Sequence, residues 1–276
     1  METGTNDPRE LHQATDPRDL DQETAAARAQ YGRQAAAYTS SASHAGGADL
    51  ARLRELLAPR GDWLLLDVAT GTGHTALAMA PHCRLVTGLD PTPKMLREAR
   101  ALAERRGIAN LALVLGAAER LPFPDGWFDA VTVRRAPHHF ASIPAALSEM
   151  RRVLRPGGRL GLVDQITPDD PAGSALLEAM ERRRDPSHNR ALSVTEWRGA
   201  LKAAGFAVAH LEVDEEQRDL AGYLQIAEAR GEDRAAVLAI LHGAGDAARD
   251  AIGHHADPAP DGSFLKQRIV ILATRG

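Results

Sequence analysis

Trp63-Leu-Leu-Leu-Asp67-Val-Ala69-Thr-Gly71-Thr-Gly73-His-Thr-Ala76 leaves an apolar run, passes through a glycine loop and enters a helical pattern. An unbroken apolar run is what a strand covered on both faces needs, and such strands belong to parallel sheets. The glycines permit a tight turn and let a ligand approach the backbone, while the helix start presents free N–H groups. Seventeen residues beyond Gly73 the next apolar run, 84–90 (RLVTGLD), ends in Asp90. A carboxylate there can accept from both hydroxyls of an adenosine ribose. Taken alone, Gly71-x-Gly73-x-x-Ala76 also fits a dinucleotide fingerprint, or a tight turn without ligand. Asp67 bears on that choice, because an acid four residues before Gly71 can meet an ammonium group and is unwelcome to a pyrophosphate.

Outward from this stretch the pattern alternates. Further strands are expected at 111–116 (LALVLG), 128–133 (FDAVTV) and 159–166 (RLGLVDQI), with helices at 49–57, 74–80, 92–106 and 142–154. Strands alternating with helices imply a doubly wound α/β sheet. Pro156-Gly157-Gly158 reads as a sharp turn into the fifth strand. After Thr167 the rhythm changes to a charged helix among prolines, a helix at 195–204 capped by Gly205, a strand at 206–213, polar helices at 219–230 and 232–251, and a last strand at 264–275. Residues 1–22 read as a disordered or loosely docked tail. The rest, 23–276, reads as a single domain with a helical stretch at 23–38 and a substrate-side elaboration at 168–262.

Composition narrows the function. The 276 residues carry 33 basic against 37 acidic side chains, a formal charge of −4, which gives no basic footprint for nucleic acid. No apolar run approaches the ~20 residues of a membrane span, and METGTNDPRE lacks the apolar core of a secretory signal. A single cysteine, Cys83, excludes a disulfide framework and a multi-thiolate zinc site. These features predict a cytoplasmic protein with no metal, membrane or nucleic-acid partner, either a monomer or a homodimer.

With Gly116-Ala-Ala-Glu119-Arg-Leu-Pro-Phe123, His138-His139 and Glu149-x-x-Arg152-Val-Leu-Arg-Pro156-Gly-Gly158 added, the sequence resembles the class I S-adenosylmethionine-dependent methyltransferases, nearest to the ubiquinone/menaquinone-biosynthesis type and its small-molecule relatives. The resemblance spans about Tyr31 to Asp164. It implies a seven-stranded Rossmann-like sheet in the order 3-2-1-4-5-7-6, the last strand antiparallel, with an N-terminal helical lid. It also implies S-adenosylmethionine as cofactor: Asp67, Ala69, Gly71 and Gly73 around the methionine part, Asp90 on the ribose, Pro91 and Met95 near the adenine, Ala118 and Glu119 at its rim. Arg134 is expected beneath the sulfonium, and Tyr31 and Tyr38 close over the cofactor. Ala69 replaces the first glycine of the family loop, which requires a negative φ there. Ala117 stands where many relatives carry an aspartate. The segment 184–190 (RDPSHNR), Glu196-Trp197 and 263–266 (SFLK) match one bacterial subgroup.

His138 and His139 follow the fourth strand and Asp164 ends the fifth, so adjacent parallel strands bring them to the rim that carries Gly71 and Asp90. A neutral imidazole suits removal of a hydroxyl proton near pH 7, and a carboxylate can orient it. The resemblance to sugar O-methyltransferases with a His-His pair points to His139 and Asp164 as the working groups; for a carbon acceptor His139 only shapes the pocket. The activity expected is methyl transfer to an oxygen, nitrogen or carbon of a small molecule in secondary or quinone-type metabolism. A cofactor-binding protein that performs a cyclisation and an NAD-dependent oxidoreductase are the competing readings, the latter lacking a Tyr-x-x-x-Lys motif. Among blander assignments, Arg182-Arg183-Arg184 reads as a solvated helix face, Cys83 as inert packing, and Trp63, Trp127 and Trp197 as core anchors.

Overall fold

The computed structural model describes residues 46–226, 231–255 and 262–276. Tyr31, Tyr38 and the expected helical lid lie outside the described residues. Seven strands, β1 (Leu64–Val68), β2 (Leu85–Asp90), β3 (Leu111–Leu115), β4 (Phe128–Arg134), β5 (Leu154–Gln165), β6 (Phe206–Asp219) and β7 (Ser263–Arg275), form one sheet. Their order is 3-2-1-4-5-7-6. The first five run parallel, and β7 is antiparallel to both β5 and β6. Fold class and strand order are those implied by the resemblance.

Helices cover both faces. On one lie α1 (Ala48–Leu57), α2 (His74–Met79) and α3 (Pro93–Arg105). Leu53 and Leu57 of α1 and Met79 of α2 pack there on Leu65, Val86, Ala130, Val163 and Val270. On the other lie α4 (Ile143–Val153) and α6 (Val194–Ala203), whose Leu147, Met150, Trp197 and Leu201 meet Val131, Val133, Leu160, Leu162 and Ile271. Sheet residues alternate between these two clusters with the period-2 rule of a strand. Fully burying one such Leu or Val contributes roughly 1.5–3 kcal/mol. Ser193 and Glu196 form a reciprocal capping box that starts α6.

Beyond β5, α5 (Pro171–Arg184), α7 (Leu220–Ile226), α8 (Gly231–Gly243) and α9 (Asp246–Ala251) build a separate cluster around Leu176, Met180, Leu224, Leu241 and Phe264. It falls within the stretch expected to elaborate the substrate side. Two expectations shift here. The strand at 206–213 continues to Asp219, because β7 extends antiparallel pairing as far as Asp219–Ser263. Residues 154–158 are not a turn before β5 but its start, and a register shift between Phe128 and Ala130 absorbs the glycines.

Trp63 and Trp197 are buried, and Trp127 packs half-buried on the core, as core anchors should. Cys83 is buried and free, and burial pushes its thiol up to about 11. It is inert at neutral pH.

Candidate active site

All candidate site residues within the described part stand at or just beyond the carboxyl ends of β1 to β5, where open α/β sheets bind ligands. The register Asp67–Thr132 sets β1 against β4, and Arg134–Val163 sets β4 against β5.

The loop after β1 is fixed from both sides. Thr70 Oγ1 donates to Asp67 Oδ2 at 2.6 Å, and Thr132 Oγ1 donates to Oδ1 at 2.7 Å. Burial raises Asp67 to about 6, with these hydroxyls opposing it. Asp67 therefore faces the loop's own threonine and shapes the turn. On the far side Gly71 N–H donates to Asp90 Oδ2 at 2.9 Å and Thr92 N–H to Oδ1 at 2.9 Å. Burial likewise raises Asp90 to about 6, and this carboxylate, with two backbone donors on it, has lone pairs for more.

Gly71 and Gly73 are left-handed, at φ +55 and +85, and open space surrounds Gly71 where a side chain would stand. Gly73 lies against Ala99 of α3, 3.1 Å from where a Cβ would sit. Ala69 corrects the sequence reading: its φ is +54, not negative. An L-residue in this region costs about 1–2 kcal/mol. Ala69→Gly is therefore expected to stabilise the protein by about 1 kcal/mol in urea unfolding; an unchanged midpoint would show that the loop carries no strain there.

Pro91 precedes α3, and Met95 is buried in its first turn. Ala118 is buried, and Glu119 Oε1 accepts from Ala141 N–H at 2.9 Å and Ser142 N–H at 3.4 Å, tying the 116–120 loop to the start of α4. Arg134 ends β4. Its guanidinium is bound to Asp49 of α1, through Nε at 3.0 Å and Nη2 at 2.8 Å. Arg135 joins the same carboxylate at 2.8 Å. Burial alone would raise Asp49, but the hydrogen bonds and charges of Arg134 and Arg135 hold it at about 2. No sequence signal marked Asp49, since it looked like an ordinary acid in a first helical turn.

Pro137–His139 forms a short 3-10 turn after β4. The imidazole on Asp164 is His138, not His139: Nδ1 lies 2.6 Å from Oδ1, and His138 N–H donates to Oδ2 at 2.9 Å. Asp164 is fully buried and His138 is 11% exposed. Burial drives both toward neutrality, Asp164 up to about 7 and His138 down to about 3. His139 instead places Nδ1 2.9 Å from the Ser187 carbonyl, the two imidazole rings lying 3.9 Å apart.

The segment 185–190, which carried no role in sequence, clamps this turn. Asn189 and Arg190 N–H donate to the His138 carbonyl, and Asn189 Nδ2 donates to Phe140 O at 2.6 Å. His188, buried behind the pair, sets Nε2 3.0 Å from Glu178 Oε1 and Nδ1 3.3 Å from Gln165 Nε2. Arg184 is no solvated arginine: it pairs with buried Glu181 at 2.5 Å and lies over Tyr223 at 4.2 Å. Among the described residues no group of acids, histidines and cysteine could hold a metal.

The Methyltransferase domain family matches residues 66–162, from β1 into β5. The "Uncharacterized methyltransferase YcgJ" of Bacillus subtilis (strain 168) is 38% identical over 173 residues, 63% of this chain and 68% of its own length. The chain belongs to the class I S-adenosylmethionine-dependent methyltransferases. This methyltransferase also matches the demethylmenaquinone methyltransferase of Thermus thermophilus, 42% identical over 134 residues, 46% of this chain and 59% of that one. A Bacillus halodurans C-125 crystal structure named as a methyltransferase superposes with TM-score 0.78 at 32% identity, covering 83% of this chain and 99% of that chain. S-adenosylmethionine is the cofactor, and the oxidoreductase alternative falls away. Among the described residues no helix is long and apolar enough to cross a membrane.

Proposed function

We propose that this methyltransferase methylates a nucleophilic oxygen, nitrogen or carbon of a small molecule, with a hydroxyl the acceptor that its rim serves best. The observation that carries the hydroxyl reading is the His138–Asp164 pair at 2.6 Å, at the same end of the sheet as Gly71 and Asp90. The demethylmenaquinone methyltransferase of Thermus thermophilus named above keeps a quinone-type carbon acceptor within the proposal.

The residues fit the cofactor: a buried carboxylate with acceptor capacity left, an open left-handed glycine beside it, and apolar Met95 and Ala118 close by. When bound, the cofactor supplies a methyl group already activated on a sulfonium. Asp90 would hold the ribose, Gly71 and Gly73 would leave room for the methionine part, and Asp67 would keep the loop in shape. Pro91, Met95, Ala118 and Glu119 would border the adenine. His138, with Nδ1–H donated to Asp164, would take the acceptor proton at Nε2. His139 would wall the pocket. Alignment of the acceptor is the protein's main task, and positioning of this kind can supply roughly 7–11 kcal/mol.

The test is transfer of labelled methyl from S-adenosylmethionine into metabolite extract, followed by identification of the labelled product. Label recovered only on protein or nucleic acid would end the small-molecule reading. For the cofactor site, Asp90→Ala is expected to weaken S-adenosylhomocysteine binding roughly 10- to 150-fold in calorimetry, the equivalent of ~1.5–3 kcal/mol for hydrogen bonds to a charged group. Wild-type affinity in that variant would remove Asp90 from the ribose.

A further inference from the structure

Two arginines at the end of β4 share one carboxylate, that of Asp49. Successive residues of a strand point to opposite faces, so Arg134 and Arg135 belong on different sides of the sheet. Arg135 instead takes φ +54, while its N–H still donates to Val163 O at 2.7 Å. The left-handed turn swings its side chain onto the α1 face, where both guanidinia reach the one carboxylate of Asp49. Left-handed arginine is strained backbone, and such strain clusters at ligand sites.

Asp49 is fully engaged by this pair, but Arg135 is not. Only its Nε binds Asp49, and its two terminal nitrogens bond to nothing among the described residues. The side chain is 16% exposed, so those nitrogens are reachable. Arg268 of β7 stands on the same face, two residues before Val270, and pairs with Asp214 at 3.4 Å and Glu216 at 2.9 Å. Burial, then the charges of Arg134 and Arg268, pushes Arg135 down to about 10. A guanidinium in these surroundings gains from an added anion.

Position selects which anion. The Gly71 loop and Asp90 stand on β1 and β2. Arg135 and Arg268 stand at β4 and β7, the strands that flank β5 and its Asp164, on the α1 face of the sheet, opposite the face to which Asp164 belongs. We propose that Arg135, backed by Arg268, anchors a carboxylate or phosphate on the methyl acceptor, so that the substrate is a small organic acid. This rests on the small-molecule reading above. The fork of a guanidinium matches such oxyanions through two parallel hydrogen bonds.

The cofactor's own carboxylate offers the same chemistry, and the test separates the two sources. Acetate, benzoate and inorganic phosphate are titrated by NMR into protein saturated with S-adenosylhomocysteine, with neutral benzamide as control. At least one anion is expected to bind, benzamide is not, and Arg135→Gln is expected to lower the anion's affinity about tenfold or more, as loss of a charge-assisted pair does. S-adenosylhomocysteine affinity should stay within about threefold in the same variant, the span a contact of under ~0.7 kcal/mol covers. Arg135→Asn, which suits the left-handed backbone, is the second variant should the first fold poorly. The proposal is overturned if no anion distinguishes wild type from both variants. It is equally overturned if the variants weaken S-adenosylhomocysteine but not 5′-methylthioadenosine, which lacks the carboxylate, for the anion is then the cofactor's. Failure of the small-molecule reading looks different: anions would still bind through Arg135, while labelled methyl would appear only on macromolecules.

Discussion

Replacing His138 by alanine, or Asp164 by asparagine, is expected to slow single-turnover methyl transfer to a hydroxyl by about 10²–10⁴ at saturating cofactor. The two changes act on one device. Asp164 Oδ2 accepts the His138 backbone N–H at 2.9 Å, which leaves Oδ1 to face Nδ1. In Asp164→Asn the amide oxygen stays with the backbone donor, so the NH₂ group points at Nδ1. That fixes the wrong tautomer, with the proton on Nε2, and the imidazole can no longer accept. His139→Ala should cost under about tenfold, since its Nδ1 faces the Ser187 carbonyl and the imidazole on Asp164 is that of His138. The pH profile adds a readout that a packing defect would not move. With Asp164 raised to about 7, its ionisation places the proton on Nδ1 and frees Nε2. The wild-type rate should therefore rise with pH through about 7 and level off above, the apparent value belonging to the pair. Loss of that rise in Asp164→Asn is the expected companion result. Rates within a few-fold of wild type in both variants would mean that alignment alone carries the reaction.

The second large effect is on stability. Asp49→Ala removes the carboxylate shared by Arg134 and Arg135, leaving two guanidinia at the end of β4 with their acid gone. Breaking a buried ion pair from one side costs about 3–5 kcal/mol, readable in the urea midpoint. The same pairing sets an acid limit. Asp49 is held at about 2, below the ~3.9 of an unfolded aspartate. Its contribution is therefore fully present above about pH 4 and is lost as pH falls through about 2. A loss below about 1 kcal/mol in Asp49→Ala would show that α1 is held by its other contacts, buried Leu50, Leu53 and Leu57 and the Arg52–Glu212 pair.

The doubly wound core was legible because strands covered on both faces are mostly apolar, and β1, β2 and β4 are, with polar residues such as Asp67, Asp90 and Arg134 at or near their carboxyl ends. Strand order came only through the resemblance, since period says nothing about neighbours. The second half of β6 was illegible. Its residues 214–219 (DEEQRD) carry no apolar alternation, and they are held instead by backbone pairing to β7 and by Arg268 to Asp214 and Glu216. The glycine loop and Asp90 were found by spacing, as was the meeting of the histidine turn with Asp164. Which imidazole meets the acid was not, because a 3-10 turn separates two adjacent rings in ways that sequence order does not encode. Ala69 was misjudged for a related reason: alanine gives no hint of a positive φ. The 185–190 clamp was equally hidden, for its bonds to the His138 and Phe140 carbonyls are made by backbone amides and one asparagine.

The place of β7 between β5 and β6 sets an order on the birth of the protein. During synthesis β6 leaves the ribosome before β7 exists, and β5 is not its neighbour in the finished sheet. Until residues 263–275 arrive, the nascent chain carries β6 without a partner and β5 with one bare edge, the kind of surface that recruits other chains. The acidic run along β6 keeps that waiting edge charged. Phe264, at the head of the late strand, then joins the cluster of α5, α7, α8 and α9 to the sheet.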